Sequence, residues 1–335
     1  MKVLYIGDPH LKISGFDLAV KFLRWVVQIK EELKPDLVVN LGDTFDTHAV
    51  IRSEILTEFK NHVKVITKDE TPYFYVIGNH DQYKPGKMKY HALKGIDGLQ
   101  HLHIIDQTQI IDNITYVPYI HDPRDFPQIK TELCVAHQTF IGCDYGFFRP
   151  EDGVKGPETG AELIISGHIH MRQQFDNVIY PGTPYAQNLN DINQSQGILY
   201  FDTDSFECKY YESPFPLYRG LKFDLRETTI DDMHDYTASQ INVTDHWVLD
   251  ITGPKVDINS YINSSEFNDL RGNADIRLRT KYTDKNKQRK RIQGITLESV
   301  IKEYIDNIYD GSLPKEILFD KALKTLEKVT NAKGK

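Results

Sequence analysis

Histidine, aspartate and asparagine residues recur in five short motifs along the first half of the chain, and these side chains are common ligands of divalent cations. The motifs are Asp8-Pro9-His10, Gly42-Asp43, Gly78-Asn79-His80-Asp81, Ala136-His137 and Gly167-His168-Ile169-His170. A hydrolytic site with two metal ions needs oxygen and imidazole donors around both ions, with one carboxylate bridging them. The motifs supply seven candidate ligands: Asp8, His10, Asp43, Asn79, His137, His168 and His170.

The ligand set contains no cysteine, which favours Mn²⁺, Mg²⁺, Fe or Zn²⁺ in a hydrolytic role over a structural zinc. Taken singly, each motif has an ordinary explanation. Asp43 could make an Asx hydrogen bond in a strand-ending turn, and His137 could be a hydrogen-bonded histidine at the end of a buried strand. Each motif follows an apolar β-like run, however, and open α/β folds gather their ligands at the carboxyl ends of strands. The conjunction therefore indicates one site.

Hydrophobic periodicity predicts the elements that must position these residues. Lys2 to Gly7 reads as a strand, Phe16 to Leu33 as an amphipathic helix and Asp36 to Leu41 as a buried strand, which together form a βαβ unit. Further along, the pattern predicts a helix over 51–68 and strands over 73–77, 101–106, 114–117, 133–136, 163–166, 177–180, 197–202 and 206–211. The predicted fold is α/β, a two-sheet β-sandwich flanked by helices, with the motifs on loops at one edge.

A composition shift at Ser213-Pro214-Phe215-Pro216 predicts a domain boundary, because the metal-site motifs stop there. We predict a dinuclear hydrolase domain over 1–214, a small α/β cap over 215–282, a basic linker over 283–294 and a helical hairpin over 295–335. Within the cap, the pattern predicts strand, helix, strand, helix and strand over 218–225, 230–240, 246–251, 257–270 and 274–282.

Charge is distributed unevenly. The whole chain carries a formal net charge of -8, yet residues 271–291 contain nine Lys or Arg against two Asp. Such a segment is typical of a phosphate-backbone contact, although a solvated hairpin or flexible linker would have the same composition. The candidate DNA-contacting residues are Arg277, Arg279, Lys281, Lys285, Lys287, Arg289, Lys290 and Arg291.

The last forty residues predict two short amphipathic helices. Thr296 can cap the first, which ends at Asp310-Gly311, and Ser312 with Pro314 starts the second. Their apolar stripes either pack back on the cap or dock a partner, for which helix-in-groove or coiled-coil contacts are the natural mode.

Other classes of protein are disfavoured by the remaining composition. No stretch of transmembrane length is free of charge, and residues 1–10 read as a strand rather than a signal peptide. The three cysteines, Cys134, Cys143 and Cys208, have no metal-binding spacing and fit a reducing cytoplasm. We therefore expect a cytoplasmic protein that does not contact membranes.

The order and types of these motifs resemble the calcineurin-like metallophosphoesterase superfamily, whose pattern is D-x-H, GD, GNH[DE], H and GHxH. All five blocks are intact. The resemblance implies that Asp43 bridges two divalent ions, most often Mn²⁺ with Mg²⁺ as the alternative, and that activated water attacks phosphorus in line. It implies one metal held by Asp8, His10, Asp43 and His170, and another held by Asp43, Asn79, His137 and His168. His80 would act as an acid or transition-state stabiliser, with Asp81 fixing its orientation and raising its pKa.

The arrangement of the whole chain resembles the SbcD-type nuclease subunit of double-strand-break repair complexes, particularly the short versions of tailed phages. That resemblance implies a manganese-dependent exonuclease and endonuclease that acts on double-stranded ends, hairpins or single strands of DNA. It also implies a homodimer within a heterotetramer, in which the terminal hairpin binds the coiled coil of an SbcC-like ATPase. The expected location is the bacterial cytoplasm, with a phage gene as one source.

Asp46 departs from that pattern, since many cellular relatives have a histidine there that is linked to cleavage of duplex ends. Asp46 could orient His10 or His80, or cap the helix before Ile51, and His48 could partly substitute for the missing histidine. Two alternatives to the nuclease stay open. One is a small-molecule or cyclic-nucleotide phosphodiesterase or phosphatase on the same scaffold, and the other is a non-catalytic scaffold that binds DNA ends.

Overall fold

The computed structural model describes residues 1–283 except 49–50, 85, 87, 97 and 147, and also residues 301–302, 305 and 315–332. The chain divides into two units, Met1–Lys281 and Tyr282–Lys335. The predicted linker contacts Lys285, Lys287, Arg289, Lys290 and Arg291 lie outside the described residues, as does most of the first predicted terminal helix.

Two six-stranded mixed sheets form most of the larger unit. The first has the order β12-β11-β1-β2-β3-β4 and the second β5-β6-β7-β8-β10-β9. The first sheet comprises β1 (Lys2–Ile6), β2 (Leu37–Asn40), β3 (Tyr73–Val76), β4 (Leu102–Ile105), β11 (Gly197–Asp202) and β12 (Cys208–Glu212). The second comprises β5 (Gln109–Ile111), β6 (Ile114–Val117), β7 (Leu133–His137), β8 (Leu163–Gly167), β9 (Gln173–Phe175) and β10 (Val178–Tyr180). Strands β1 to β4 run parallel, as do β6, β7, β8 and β10.

The central strands are buried on both faces, which explains their continuous apolar sequences. In β1, Val3 and Tyr5 belong to a core shared with residues of the second sheet such as Val135. Leu4 belongs instead to the core that contains Phe22 on the neighbouring helix. Successive side chains of β1 therefore point to opposite faces of the first sheet, one face packed against the helices and the other against the second sheet.

Two helices cover the outer face of the first sheet. Helix α1 (Phe16–Leu33) and helix α2 (Ser53–Ile66) each bury one apolar face. Helix α1 ends at Lys34, whose backbone is left-handed with φ 48° and whose N–H donates to the Lys30 carbonyl at 2.9 Å. Two mixed sheets flanked by helices confirm the predicted α/β fold.

A three-stranded sheet with its own apolar core follows β12 in the sequence. Its strands are β13 (Tyr218–Asp224), β14 (His246–Gly253) and β15 (Asp275–Tyr282), in the order β13-β14-β15. Helix α3 (Ile230–Gln240) makes the crossover between β13 and β14, which run parallel. The core includes Trp247, Ile258 and Phe267.

The single helix predicted over 257–270 is wrong, because the structure has two helices there. They are α4 (Lys255–Ile262) and α5 (Ser265–Asn273). Ser264 lies between them with an extended backbone, and its hydroxyl accepts a hydrogen bond from the Phe267 N–H at 3.2 Å. This serine is an N-cap that restarts the helix, so apolar spacing alone does not reveal the break.

In the smaller unit, helix α6 (Lys315–Ala332) lies where the second terminal helix is predicted. Leu318, Phe319, Ala322 and Leu323 are half-buried at three-to-four spacing, while Ile317, Asp320, Lys321 and Lys324 are exposed. Within the described parts of both units, no helix combines the length and apolar character needed to cross a bilayer.

Candidate metal centre

The five motifs meet because each lies at the carboxyl end of a strand. Asp8 follows β1, Asp43 follows β2, Asn79 follows β3, His137 ends β7 and His168 follows β8. The first three strands are adjacent in one sheet and the last two are adjacent in the other. Parallel strands bring their carboxyl ends to one edge, so the sequence order of the motifs becomes a single cluster.

Asp43 is the centre of this cluster. Its Oδ2 lies 3.3 Å from His137 Nε2 and 3.9 Å from His10 Nε2, while its Oδ1 accepts a hydrogen bond from the His80 N–H at 2.8 Å. Among the residues that the structure describes, two groups of side chains could hold a metal ion, and Asp43 belongs to both. They are His10, Asp43 and His80, and Asp43, His137 and His168. In each group the candidate ligand atoms lie within 4.8 Å of one another. A carboxylate common to two ligand groups has the geometry that a bridging ligand requires.

The group around His137 brings acceptor atoms together. The His137 Nδ1 lies 2.7 Å from the Leu41 carbonyl oxygen, which can only accept, so Nδ1 carries a proton and Nε2 is directed at the ligand cluster. That Nε2 lies 3.1 Å from Asn79 Oδ1, and the same amide oxygen lies 2.7 Å from His168 Nδ1. Nitrogen and oxygen lone pairs around one point form a suitable cation site.

The group around His10 also fits a metal ion. The Nε2 atoms of His10 and His170 lie 3.1 Å apart, and the rings of His10 and His80 meet edge to face with centroids 4.8 Å apart. Asp8 Oδ1 accepts a hydrogen bond from the His168 N–H at 2.8 Å. Among the described residues, Asp8 Oδ2 is buried without a hydrogen-bond partner. A buried carboxylate oxygen without a protein partner is costly unless another group binds it, and a cation would do so.

Burial and the neighbouring carboxylates shift the pKa values of these imidazoles in opposite directions. Burial lowers the pKa of His10 and of His168 to about 3, so both rings are neutral with free lone pairs. For His137, burial opposes protonation, but the charges of Asp43 and Asp8 outweigh it and raise its pKa to about 9. A proton on His137 thus supplies the positive charge between two carboxylates that a bound cation would otherwise supply.

Backbone conformation at the motifs is constrained. Asp8, His10, Asp43 and His168 have φ values of 30°, 43°, 50° and 88°, a region that non-glycine residues rarely occupy. Gly42 has φ 108°, and a Cβ there would lie 2.5 Å from His137 Nδ1. The glycine before Asp43 is therefore required both by its conformation and by the imidazole packed against it.

His80 lies at the edge of the cluster, half-buried. Its Nδ1 lies 3.2 Å from the backbone carbonyl oxygen of Asp46, and its ring stacks on that of His48 with centroids 4.5 Å apart. Asp46 therefore orients His80 through its main chain rather than its carboxylate. The alternative role for Asp46 as a helix cap is wrong, because α2 starts at Ser53 and Arg52 is its N-cap residue. His48 is exposed, and its ring contacts the ring of His80.

The predicted contact of Asp81 with the His80 ring is wrong. Asp81 Oδ2 accepts hydrogen bonds from the N–H groups of Asp43 at 2.8 Å and Gly78 at 2.9 Å, and its Oδ1 accepts one from the Tyr75 hydroxyl at 2.8 Å. Asp81 is fully buried, and these three donors lie on two different motif loops and on β3. Asp81 therefore holds the loop that carries Asp43 against the loop that carries Asn79.

Sequence reasoning missed several supporting residues. Tyr75 anchors Asp81, and the Leu41 carbonyl orients His137, yet neither belongs to a motif. The Tyr185 hydroxyl and Gln187 Nε2 donate to the Pro9 carbonyl at 2.6 and 2.8 Å. Of these two residues only Gln187 is missed. Tyr185 follows a Pro-Gly-Thr-Pro turn, from which its approach to the site is predicted, whereas no local pattern identifies the buried Gln187.

Three of the predicted DNA-contacting residues are described. Arg277, Arg279 and Lys281 are exposed on β15 of the three-stranded sheet, outside the metal-ligand cluster.

The fold and the shared ligand groups define a metallophosphoesterase, a hydrolase of phosphoester bonds. The chain belongs to the calcineurin-like phosphoesterase family, whose family model matches residues 1–172. That match covers all five motifs.

Comparison with curated proteins finds viral relatives. A protein provisionally named phosphoesterase 078R, of Invertebrate iridescent virus 3, is 31% identical over 204 residues, covering 55% of this chain and 57% of that protein. A second, provisionally named phosphoesterase 244L, of Invertebrate iridescent virus 6, is 32% identical over 216 residues, covering 59% of this chain and 74% of that protein. The match therefore spans only 57% of the length of the first relative.

Two more distant similarities extend the comparison. Exonuclease subunit 1 of Enterobacteria phage T4 is 21% identical over 265 residues, covering 72% of this chain and 76% of that protein. A solved structure described as a novel archaeal phosphodiesterase is 17% identical with a TM-score of 0.35, covering 64% of this chain and 100% of that one.

Proposed function

We propose that this chain is a metal-dependent DNA nuclease, the subunit of an SbcCD-like complex that cleaves phosphodiester bonds. The observation that carries the DNA substrate is the similarity to exonuclease subunit 1 of phage T4. It covers 72% of this chain, whereas the family model matches only residues 1–172 of the 335. The similarity thus extends past the metal-site motifs, into a part of the chain that a small-molecule phosphodiesterase would not need.

The two ligand groups that share Asp43 support the hydrolytic step. When bound there, two divalent cations would activate water and neutralise charge on the phosphoryl oxygens, and Mn²⁺ is the ion that we propose, with Mg²⁺ as the alternative. His10 and His170 with Asp8 hold one position, and His137, His168 and Asn79 hold the other. The neutral His10 and His168 rings present lone pairs without first losing a proton.

We propose that His80 contacts the scissile phosphate. The Nδ1–H of His80 donates a hydrogen bond to the Asp46 carbonyl oxygen, so Nε2 lies on the opposite side of the ring. The ring is half-buried beside His10, where it can hold a proton for the leaving oxygen or hydrogen-bond to a phosphoryl oxygen. Stacking on His48 keeps the ring in this orientation.

DNA binding by the three-stranded sheet is the second part of the proposal. Arg277, Arg279 and Lys281 are exposed on β15, and the sequence continues with Lys285, Lys287, Arg289, Lys290 and Arg291. Cations concentrated in one segment of an otherwise acidic chain are suited to a phosphate backbone.

Assembly is the third part. Helix α6 presents Leu318, Phe319, Ala322 and Leu323 at helical spacing, a pattern that suits docking on a coiled coil. We propose an SbcC-like ATPase as the partner and a homodimer of this chain within the complex. The proposed site of action is the cytoplasm of the bacterial host, on double-stranded ends, hairpins or single strands.

Incubation of the full chain and Mn²⁺ with linear duplex DNA, single-stranded DNA and a cyclic dinucleotide tests the substrate. Release of nucleotides from DNA by the wild type, abolished in Asp43→Asn, is the expected result. Hydrolysis of the cyclic dinucleotide alone would favour the small-molecule phosphodiesterase, and binding of DNA without hydrolysis of any substrate would favour the non-catalytic scaffold.

A further inference from the structure

A large cleft runs along helix α1 between the metal centre and the three-stranded sheet. Its volume is about 760 Å³, and its lining includes Lys12, Lys21, Arg24, Trp25, Gln187 and Tyr218. We call it the α1 cleft. None of the metal ligands lines it, and all its lining residues lie in the larger unit of the chain.

One wall of the α1 cleft is a polar stripe of helix α1. Lys21 and Arg24 are exposed and three residues apart, so both project from the same side of the helix. The lining residues Asp17 and Gln28 continue this side, and the eleven steps between them span about 16 Å of helix. The wall is therefore long enough for several stacked nucleotides, at about 3.4 Å per base in a strand.

The opposite wall is attached to the metal centre. Gln187 Nε2 and the Tyr185 hydroxyl both donate to the carbonyl of Pro9, which lies between the ligands Asp8 and His10. Lys12, two residues after His10, donates from Nζ to the Gln187 carbonyl at 3.4 Å. Two lining residues of the cleft are thus hydrogen-bonded to the loop that positions two metal ligands.

The chemistry of the lining suits a nucleic acid strand. Lys12, Lys21 and Arg24 carry positive charge against one carboxylate, Asp17, in a chain whose formal net charge is -8. Tyr218 lies beside His246 with ring centroids 5.1 Å apart, and this pair offers flat faces on which bases can stack.

We infer that the α1 cleft holds a single strand of the nucleic acid substrate as it runs from the metal centre to the three-stranded sheet. This inference rests on the proposed nuclease function, because it names the path of that substrate. Cations track the backbone phosphates, and aromatic rings stack on bases without reading their sequence. The three-stranded sheet then contacts the nucleic acid strand in two places, at Tyr218 and His246 where the strand leaves the cleft and at the exposed cations of β15.

The test compares the full-length double variant Lys21→Glu/Arg24→Glu with the control Lys64→Glu/Lys68→Glu. The control makes the same charge change at exposed lysines of the 53–69 segment, which do not line the cleft. Affinity for a fluorescent single-stranded 12-mer is measured in EDTA over a range of salt concentrations. We expect the cleft variant to bind at least tenfold more weakly than the control, with a salt slope shallower by about 1.4, the value for two lost phosphate contacts.

Equal affinity and equal salt slope for the two double variants would overturn the inference. It would also be overturned if the cleft variant lost affinity for a mononucleotide but kept it for the 12-mer, since the cleft would then be a small-molecule site. Hydrolysis of bis(4-nitrophenyl) phosphate with Mn²⁺ is measured in parallel and should be the same in both variants. If wild-type protein fails to hydrolyse this ester, the proposed function fails, while the binding comparison still decides the role of the cleft.

Discussion

Asp43 Oδ2 lies 3.3 Å from His137 Nε2, while the other nitrogen of that imidazole is held by the Leu41 carbonyl at 2.7 Å. The carbonyl determines which nitrogen faces the carboxylate, and the carboxylate is shared with the group around His10. The main-chain carbonyl just before the Gly42-Asp43 motif thus sets the direction of a metal ligand on the other sheet, as supporting groups around metal-binding histidines commonly do.

Replacement of His80 should separate chemistry from metal binding. His80→Ala removes one half-buried ring from the group around His10, where Asp8, His10, Asp43 and His170 remain as ligands, and leaves the group of Asp43, His137 and His168 complete. We expect Mn²⁺ content to be retained and hydrolysis of DNA to fall by about 10² to 10⁴. Full hydrolysis by His80→Ala, measured with saturating Mn²⁺, would show that this imidazole takes no part in the reaction.

Asp81 should behave as a structural residue, unlike its neighbour. Asp81→Ala leaves three buried donors without an acceptor, at about 1 to 3 kcal/mol each. We expect urea denaturation in EDTA to show a loss of several kcal/mol, whereas His80→Ala changes stability little. Equal stabilities for the two variants would contradict the hydrogen-bonding role of Asp81.

His62 should make the protein sensitive to acid independently of metal. Burial in α2 lowers the pKa of His62 from 6.5 to about 4, and its Nδ1 donates to the Leu23 carbonyl at 3.1 Å. The unfolded chain therefore binds more protons between these pH values. The stabilisation is complete above pH 6.5 and is lost progressively as the pH falls to about 4, by about 3 kcal/mol.

Denaturant titrations of wild type and His62→Gln at several pH values measure this effect. Glutamine keeps a donor but does not titrate, so the stability of the variant should fall less steeply with acid. His103→Gln, at an exposed position, is the matched control and should follow the wild type. Parallel pH profiles for wild type and His62→Gln would mean that the buried imidazole does not drive the acid sensitivity.

Removal of the chain beyond Gln293 tests the proposed docking element. The truncated protein should lose binding to a coiled-coil ATPase of the SbcC type, because helix α6 and its apolar stripe are absent. Hydrolysis of bis(4-nitrophenyl) phosphate should continue, since the metal ligands lie in the larger unit. Pull-down of the ATPase by both forms in equal amount would exclude the terminal helices as the docking element.

The sequence predicts the fold and the ligand cluster because both depend on local patterns. Apolar runs identify β1, α1 and β2, and the motif residues follow those runs directly. The break between α4 and α5 is missed because a single serine cap outweighs continuous apolar spacing. The tasks of Asp81 and Asp46 are missed because they depend on hydrogen bonds between segments more than thirty residues apart, which periodicity does not encode.

The central claim, that Asp43 bridges two cations, is tested most directly by calorimetric titration of metal-free protein with Mn²⁺. Asp176→Asn is the control, because Asp176 is exposed in a turn with φ 44°, a conformation that asparagine tolerates. We expect two Mn²⁺ per chain for the wild type and for Asp176→Asn, with both sites weakened at least tenfold in Asp43→Asn. A single Mn²⁺ per wild-type chain, or two tightly bound Mn²⁺ in Asp43→Asn, would contradict it.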